Sequence, residues 1–250
     1  MLKHRIVPVL LWDGDQVVQS VQFNRPHRKC GSMQEHIANM ERRNVDELII
    51  LDVNATLESR EPKFKEIRKY AEQLFCPVTY GGGISKIEHV DKLIQECGVD
   101  KVAIKSNYLK ITPISYKYGT QAVVASVDHA YGNAQYGVLN NHDHINDPFT
   151  VEGWCKRLED IGAGEILLTD ILCNGKKEGY AIGLTHTVVK KINIPVITNG
   201  GCGAPEHMQQ AFEAGASACA ASSMFLFTEH TPRSVARELR EAGVAVRVDG

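Results

Sequence analysis

Thr79–Ser106 reads TYGGGISKIEHVDKLIQECGVDKVAIKS, and Thr198–Ser223 reads TNGGCGAPEHMQQAFEAGASACAASS. Laid over one another, Gly81 falls on Gly200, Gly82 on Gly201, and Glu88-His89 on Glu206-His207, so one unit is written twice. Each copy runs from a short β pattern through a glycine cluster and a helix pattern to a second β pattern that ends in small polar residues. In the first, Ser85 is placed to cap the helix, Glu88 completes a capping box, and Ile87, Val90, Leu93, Ile94 and Cys97 form an apolar stripe. In the second, Pro205 takes the first helical position, and Met208, Ala211 and Phe212 supply the stripe. Glycines between a strand and a helix N-terminus let backbone N–H groups approach an anion, and the helix dipole favours negative charge there. Two such cradles point to a ligand with two phosphates. A single glycine cluster would be read as no more than a tight turn; the duplication, with copies ending in Ser106 and in Ser222-Ser223, weighs against that plainer reading.

The flanking chain repeats the alternation. Arg5–Leu11 (RIVPVLL) is nearly all apolar, as expected of a parallel strand buried on both faces. The polar stretch from Trp12 to Ser32, opened by an Asp13-Gly14 turn signal, is too long for an ordinary βα connection and marks a functional loop. Then follow a helix over Met33–Arg43, a strand over Glu47–Asp52, a helix over Pro62–Leu74, strands over Pro77–Tyr80 and Lys101–Ile104, and a weaker helix over Ile111–Tyr118. The second half restarts with Ala122–Val127, ending in Asp128, and an Asn- and His-rich excursion over Tyr131–Ile145 that reads as a hairpin. Helix patterns at Thr150–Ile161, Leu184–Ile192 and Thr231–Ala242, with strands at Glu165–Thr169 and Pro195–Thr198, complete eight of each. The expectation is α/β: a single (βα)8 barrel domain over residues 1–250, made of two duplicated (βα)4 halves at roughly 1–120 and 121–250. The C-terminal strand ends share one mouth, with the glycine cradles on opposite sides of it, a spacing that suits a long bis-phosphate.

Composition narrows the function classes. The chain carries 28 basic and 30 acidic residues, a net charge of −2, with the two signs well mixed, which excludes the footprint of a nucleic-acid or membrane-surface binder. No apolar run approaches the ~20 residues of a membrane span. The start MLKHRIVPVLLW is too short and too soon charged for a signal peptide, so a cytoplasmic protein is expected. The seven cysteines are spread without a C-x-x-C and read as reduced thiols. His142-x-His144 has no third ligand nearby and reads as a solvated loop, so neither a metal nor a cofactor is expected. Trp154 reads as core, and Trp12 either as a stacking platform at the mouth or as a plug.

From RIVPVL through DELIILD, YGGGI, DKVAIKSN, TQAVVASVD, GAGEILLTDI, NGKKEGY, VITNGGCG and ACAASSMF to VAVRVDG, the chain resembles the cyclase subunit of imidazole glycerol phosphate synthase. The resemblance implies a half-duplicated (βα)8 barrel that docks a glutaminase subunit at its bottom, passes ammonia up its axis, and cleaves and cyclises a bis-phosphate at its top. It implies phosphate binding at Gly82, Gly83, Ser106, Gly175, Gly201 and Ser222. It also implies a gate of four charged residues, Arg5, Glu47, Lys101 and Glu165, with Asp100 and Arg247 as docking contacts. Family catalysis uses two aspartates at the ends of strands one and five. The second is Asp128; the first position is Leu11, which has no proton to move. Asp13 is the substitute acid to consider. The family's loop lysine becomes Gln19, its strand-four asparagine Lys105, and its acidic stretch after strand six Leu172–Lys176.

A rewritten top over a retained floor gives three readings. In the first, the barrel still receives ammonia from a glutaminase and passes it to a third protein, a sugar amidotransferase forming acetamidino groups for surface polysaccharides, as relatives of this type imply. In the second, it is a working cyclase of histidine biosynthesis that relies on Asp128. In the third, phosphate binding at the mouth switches the glutaminase on without local chemistry.

Overall fold

In the computed structural model, which describes residues 3–43, 45–132, 135–140, 143–144 and 150–247, side chains alternate along Arg5–Trp12 between two environments. Val7, Val9 and Leu11 join one cluster with Ile49, Val124, Leu167, Ile197 and Ala220; Leu10 and Trp12 join another with helix residues Ile37, Met40 and Ile67. A strand with both faces apolar requires a layer of structure on each side, and here those layers are the barrel interior and a ring of helices.

The barrel strands are β1 (Arg5–Trp12), β2 (Leu48–Asp52), β3 (Val78–Gly81), β4 (Lys101–Ile104), β5 (Val123–Gly132), β6 (Glu165–Asp170), β7 (Val196–Asn199) and β8 (Ala218–Ala221). Each pairs in parallel with the next, and β8 returns to β1 with Arg5 opposite Ala218, which closes the cylinder. The expected (βα)8 barrel is the fold observed. The intervening helices are α1 (Met33–Arg42), α2 (Phe64–Ala71), α3 (Ile87–Asp91), α4 (Ile111–Tyr118), α5 (Val151–Asp160), α6 (Ile182–Lys191), α7 (Pro205–Glu213) and α8 (Pro232–Glu241). A short helix, Ser223–Phe227, follows β8 directly, and none of the described helices is long and apolar enough to cross a membrane.

Two excursions leave the barrel at its mouth. The long segment after β1 forms an antiparallel hairpin, Gln16–Gln19 with Arg28–Ser32, and β5 runs on into a hairpin with Gln135–Asn140. His142 lies outside the described residues, and no group of three or more His, Cys, Asp or Glu among the described residues is placed to hold a metal ion.

Helix starts partly follow the expected signals. Ser32, Thr150 and Thr231 cap α1, α5 and α8 by accepting from backbone N–H groups three residues on, and Pro205 opens α7. The Ser85 capping box does not form. α3 begins at Ile87 after Lys86 with no side-chain cap, because the imidazole of His89 accepts the Ser85 N–H at 3.4 Å instead. In the second copy, His207 Nδ1 accepts the Gly203 N–H at 3.2 Å. The matched histidines thus close the same turn in both copies.

Trp12 is a second correction. It is 1 % exposed and packs edge-on against Tyr70 at 5.8 Å, in the helix layer rather than at the mouth. Strand alternation puts Leu11 inside and so turns its neighbour out. Trp154 is buried as expected, edge-on to Tyr108.

Candidate functional site

At the N-terminal end of the barrel, Arg5 Nη1 lies 2.7 Å from Glu47 Oε2 and 3.1 Å from Glu165 Oε1. Opposite, Lys101 Nζ lies 2.9 Å from Glu47 Oε1 and 3.2 Å from Glu165 Oε2. Each cation bridges both anions, so the four residues form a closed ring. The side chain of Glu47 is 3 % exposed and those of the cations 17 to 19 %. Loose surface pairs worth about 0–1 kcal/mol are therefore the wrong description; each member is desolvated and depends on its neighbours for charge compensation. Beside the ring, exposed Asp100 accepts the Val78 N–H at 2.8 Å, which fixes its carboxylate at the start of β3.

Above the ring the interior is apolar. Val7, Val9, Ile49, Val124, Leu167 and Ile197 pack with the small side chains Ala103, Ala218 and Ala220 into one buried cluster.

At the C-terminal ends of the strands lies a cavity lined by Leu11, Leu51 and Ala103 together with Ser126, Asp128, Thr169 and Asn199. Asp128 is bound to Lys105, with Nζ 2.5 Å from Oδ2, and the two side chains are 8 % and 29 % exposed. Leu11 thus shares the cavity with a carboxylate that a lysine from the adjacent strand already holds. Asp13 offers no replacement: its Oδ1 accepts from the backbone N–H groups of Asp15 and Gln16, at 2.9 and 2.7 Å, closing its own turn outside the cavity.

Two further aspartates anchor the loops of the mouth. Asp52 accepts from the Asn54 and Ala55 N–H groups and takes a two-pronged contact from Arg60 at 2.6 and 2.7 Å. Asp170, its counterpart in the second half, accepts from the Leu172 and Cys173 N–H groups. Next to Asp170 in the sheet, His129 is 1 % exposed and edge-on to Tyr136. Burial pushes its imidazole down to about 4, against the opposing pull of Asp170 and Asp128, so it is neutral near pH 7. All seven cysteines are free, and burial pushes the thiol of Cys173, beside the mouth, up to about 11.

The two glycine clusters differ in their surroundings. Gly82, Gly83 and Ser106 line the cavity, together with Arg25 and His27 from the hairpin loop. Gly175, Gly201 and Ser222, expected at the second cradle, are not among the described residues that line this cavity, whereas Ser20, Asn174, Asn199 and Thr169 from that side are. The clusters also correspond in a different register from the one that the text of the sequence favours. A Cβ on Gly82 would stand 2.4 Å from the Asp52 carbonyl oxygen, and one on Gly200 would stand 2.4 Å from that of Asp170. Gly82 therefore matches Gly200, and Gly81 matches Asn199, each the last residue of its strand. Sequence reading missed Arg25, Arg60 and the bond between Lys105 and Asp128. Of these, only Lys105 carried a signal, as a departure from the resemblance.

Comparison with known proteins agrees with this geometry. The model of a family described as histidine biosynthesis protein matches residues 5–231. The chain is 35 % identical to imidazole glycerol phosphate synthase subunit HisF of Chlorobium limicola and 36 % identical to those of Clostridium botulinum and Hydrogenobaculum sp.. Each comparison covers 99 % of this chain and 100 % of the relative. A closed (βα)8 barrel with its ionic ring, apolar axis and cavity at the strand C-termini, matched along its whole length, belongs to the histidine biosynthesis protein family.

Proposed function

We propose that this chain is a divergent paralogue of the cyclase subunit. It docks a glutaminase subunit against its bottom face, with Asp100 and Arg247 among the contacts, and admits ammonia through the gate of Arg5, Glu47, Lys101 and Glu165. The ammonia passes along the apolar axis to an acceptor other than the cyclase substrate: a sugar amidotransferase, a third protein that builds acetamidino groups for surface polysaccharides. Gly82, Gly83 and Ser106 hold a phosphorylated small molecule at the mouth. The observation that carries this reading is Leu11, apolar at the end of β1, in the same cavity as an Asp128 already bonded to Lys105. The cyclisation that the resemblance implies uses carboxylates at the ends of strands one and five; the first is absent here and the second is held by a cation. The complete ring below, and relatives named as subunits of a synthase, support a nitrogen-donating partner.

Co-expression with the cognate glutaminase tests it. The expected result is a stable complex, faster glutamine hydrolysis, and no imidazole ring closure from ammonium salt. Absence of both complex and stimulation would defeat it. Amide-labelled glutamine should deliver its nitrogen to a sugar only when the third protein is added.

A working cyclase is the second reading, favoured by the presence of Asp128 on the cavity wall. Ring closure at ordinary enzymatic speed from ammonium and the bis-phosphate, abolished by Asp128→Asn, would establish it in place of the first.

A further inference from the structure

Of the large hydrophobic side chains that stand exposed among the described residues, Phe75 alone lies in a turn leading into a barrel strand, at the end of the molecule that bears the ionic ring. The others lie at or beyond the C-terminal ends of strands or, like Leu109 and Tyr116, around α4. Phe75 is 93 % exposed, whereas its neighbours Leu74 and Cys76 pack against the core. One exposed apolar side chain is ordinary by itself. What marks this one is how it is held and what surrounds it.

The turn is pinned on both sides. The Phe75 N–H donates to Glu41 Oε2 at 3.3 Å, the Leu74 N–H to Ala71 O at 3.0 Å, and Pro77 O accepts the Leu48 N–H at 3.0 Å. Val78 then donates its N–H to the exposed Asp100 carboxylate. The ring therefore stands on ordered backbone, and little freedom is lost when a partner covers it. Burial, with the carboxylates of Glu41, Glu47 and Asp100 acting in the same direction, pushes the Cys76 thiol up to about 12. Glu47 belongs to the ring, so the turn borders the barrel entrance. A subunit that delivers ammonia to that entrance has to seal against its rim, and Phe75 is on the rim.

We infer that Phe75 anchors the glutaminase subunit, its ring entering an apolar pocket of that subunit whose basic rim faces Glu41 and Asp100. The inference rests on the docking reading and goes beyond it by naming the side chain that carries the affinity and the chemistry of the surface that receives it. Buried aromatic anchors dominate interface energies, while the charges around them act mainly on the association rate.

Binding of the purified cognate glutaminase to the immobilised full chain, followed by interferometry, tests it. Phe75→Ala should raise Kd about tenfold or more, chiefly through faster dissociation. Phe75→Leu should recover part of the loss, and Phe75→Glu should leave no measurable binding. Leu109→Ala, 75 % exposed and placed after the C-terminal end of β4, should bind as the parent does. Unchanged thermal unfolding of each variant verifies that the fold is kept. Parent-like affinity in Phe75→Ala, equal losses in Phe75→Ala and Leu109→Ala, or undiminished binding in Phe75→Glu would overturn the inference. So would a dimer of the chain alone, seen in sedimentation velocity, that Phe75→Ala disperses without changing the affinity for glutaminase. A complex that forms as tightly without the ring overturns this inference and leaves the docking reading standing; no complex with the parent chain overturns both.

Discussion

In the proposed function, Leu11 and Lys105 between them set the chemistry of the mouth. Removing the lysine leaves Asp128, 6 % exposed, without its counter-charge. Lys105→Ala should therefore cost about 1–3 kcal/mol, read from the urea midpoint, whereas Lys105→Arg should recover most of it. Leu11→Asp would restore a carboxylate at the end of β1. Alone it should give no ring closure in a product assay with ammonium and the bis-phosphate, because Lys105 still holds Asp128. Combined with Lys105→Asn, slow turnover should become measurable. At this scale Leu11 was legible by counting from Arg5. The Lys105–Asp128 bond was not, because it depends on the lateral pairing of β4 with β5, in which Ile104 lies opposite Ala125. Trp12 was misplaced for a related reason: a residue next to a mouth residue along a strand points the other way.

Among the elements, the two glycine turns make the sharpest test. Both Gly82 and Gly200 have positive φ, at 118° and 89°, and a methyl on either would press on an aspartate carbonyl. Gly82→Ala and Gly200→Ala should each cost about 1–3 kcal/mol by thermal or urea unfolding, because the clash and the strain are the same in both halves. His89→Ala and His207→Ala should each remove a turn-closing acceptor, at about 1 kcal/mol. Strings of letters showed that the unit repeats, since glycines and the Glu-His pair stand out. They mispaired the glycines by one because Thr79 resembles Thr198, whereas the backbone equates the strand ends Gly81 and Asn199. The helix start was misread because Ser85 looks like a cap, while a histidine four residues on supplies the acceptor.

For the molecule as a whole, the ionic ring and the buried histidine set how stability responds to perturbation. Glu47→Ala removes an anion shared by Arg5 and Lys101 and should cost about 3–5 kcal/mol in thermal unfolding, more than any exposed charge. His129, faced by Asp128, Asp170 and Tyr136, has its folded pKa lowered to about 4 from 6.5. Between those values the unfolded chain binds the extra proton, so this residue's contribution is complete above pH 6.5 and is lost as pH falls toward 4. Urea midpoints at pH 7 and pH 5 should differ less in His129→Phe than in the parent. By itself the sequence determined the barrel and its repeated unit, because strand alternation and helix periodicity are local properties that a linear chain displays directly; the places of Leu11 and of the four floor charges came from the family resemblance. Only the tertiary structure decided that Asp128 is held by Lys105, that Trp12 packs outward, and that Gln19 bonds to Ser222 and Ser223 across the mouth. Each of those depends on side chains far apart in the chain meeting where the barrel closes.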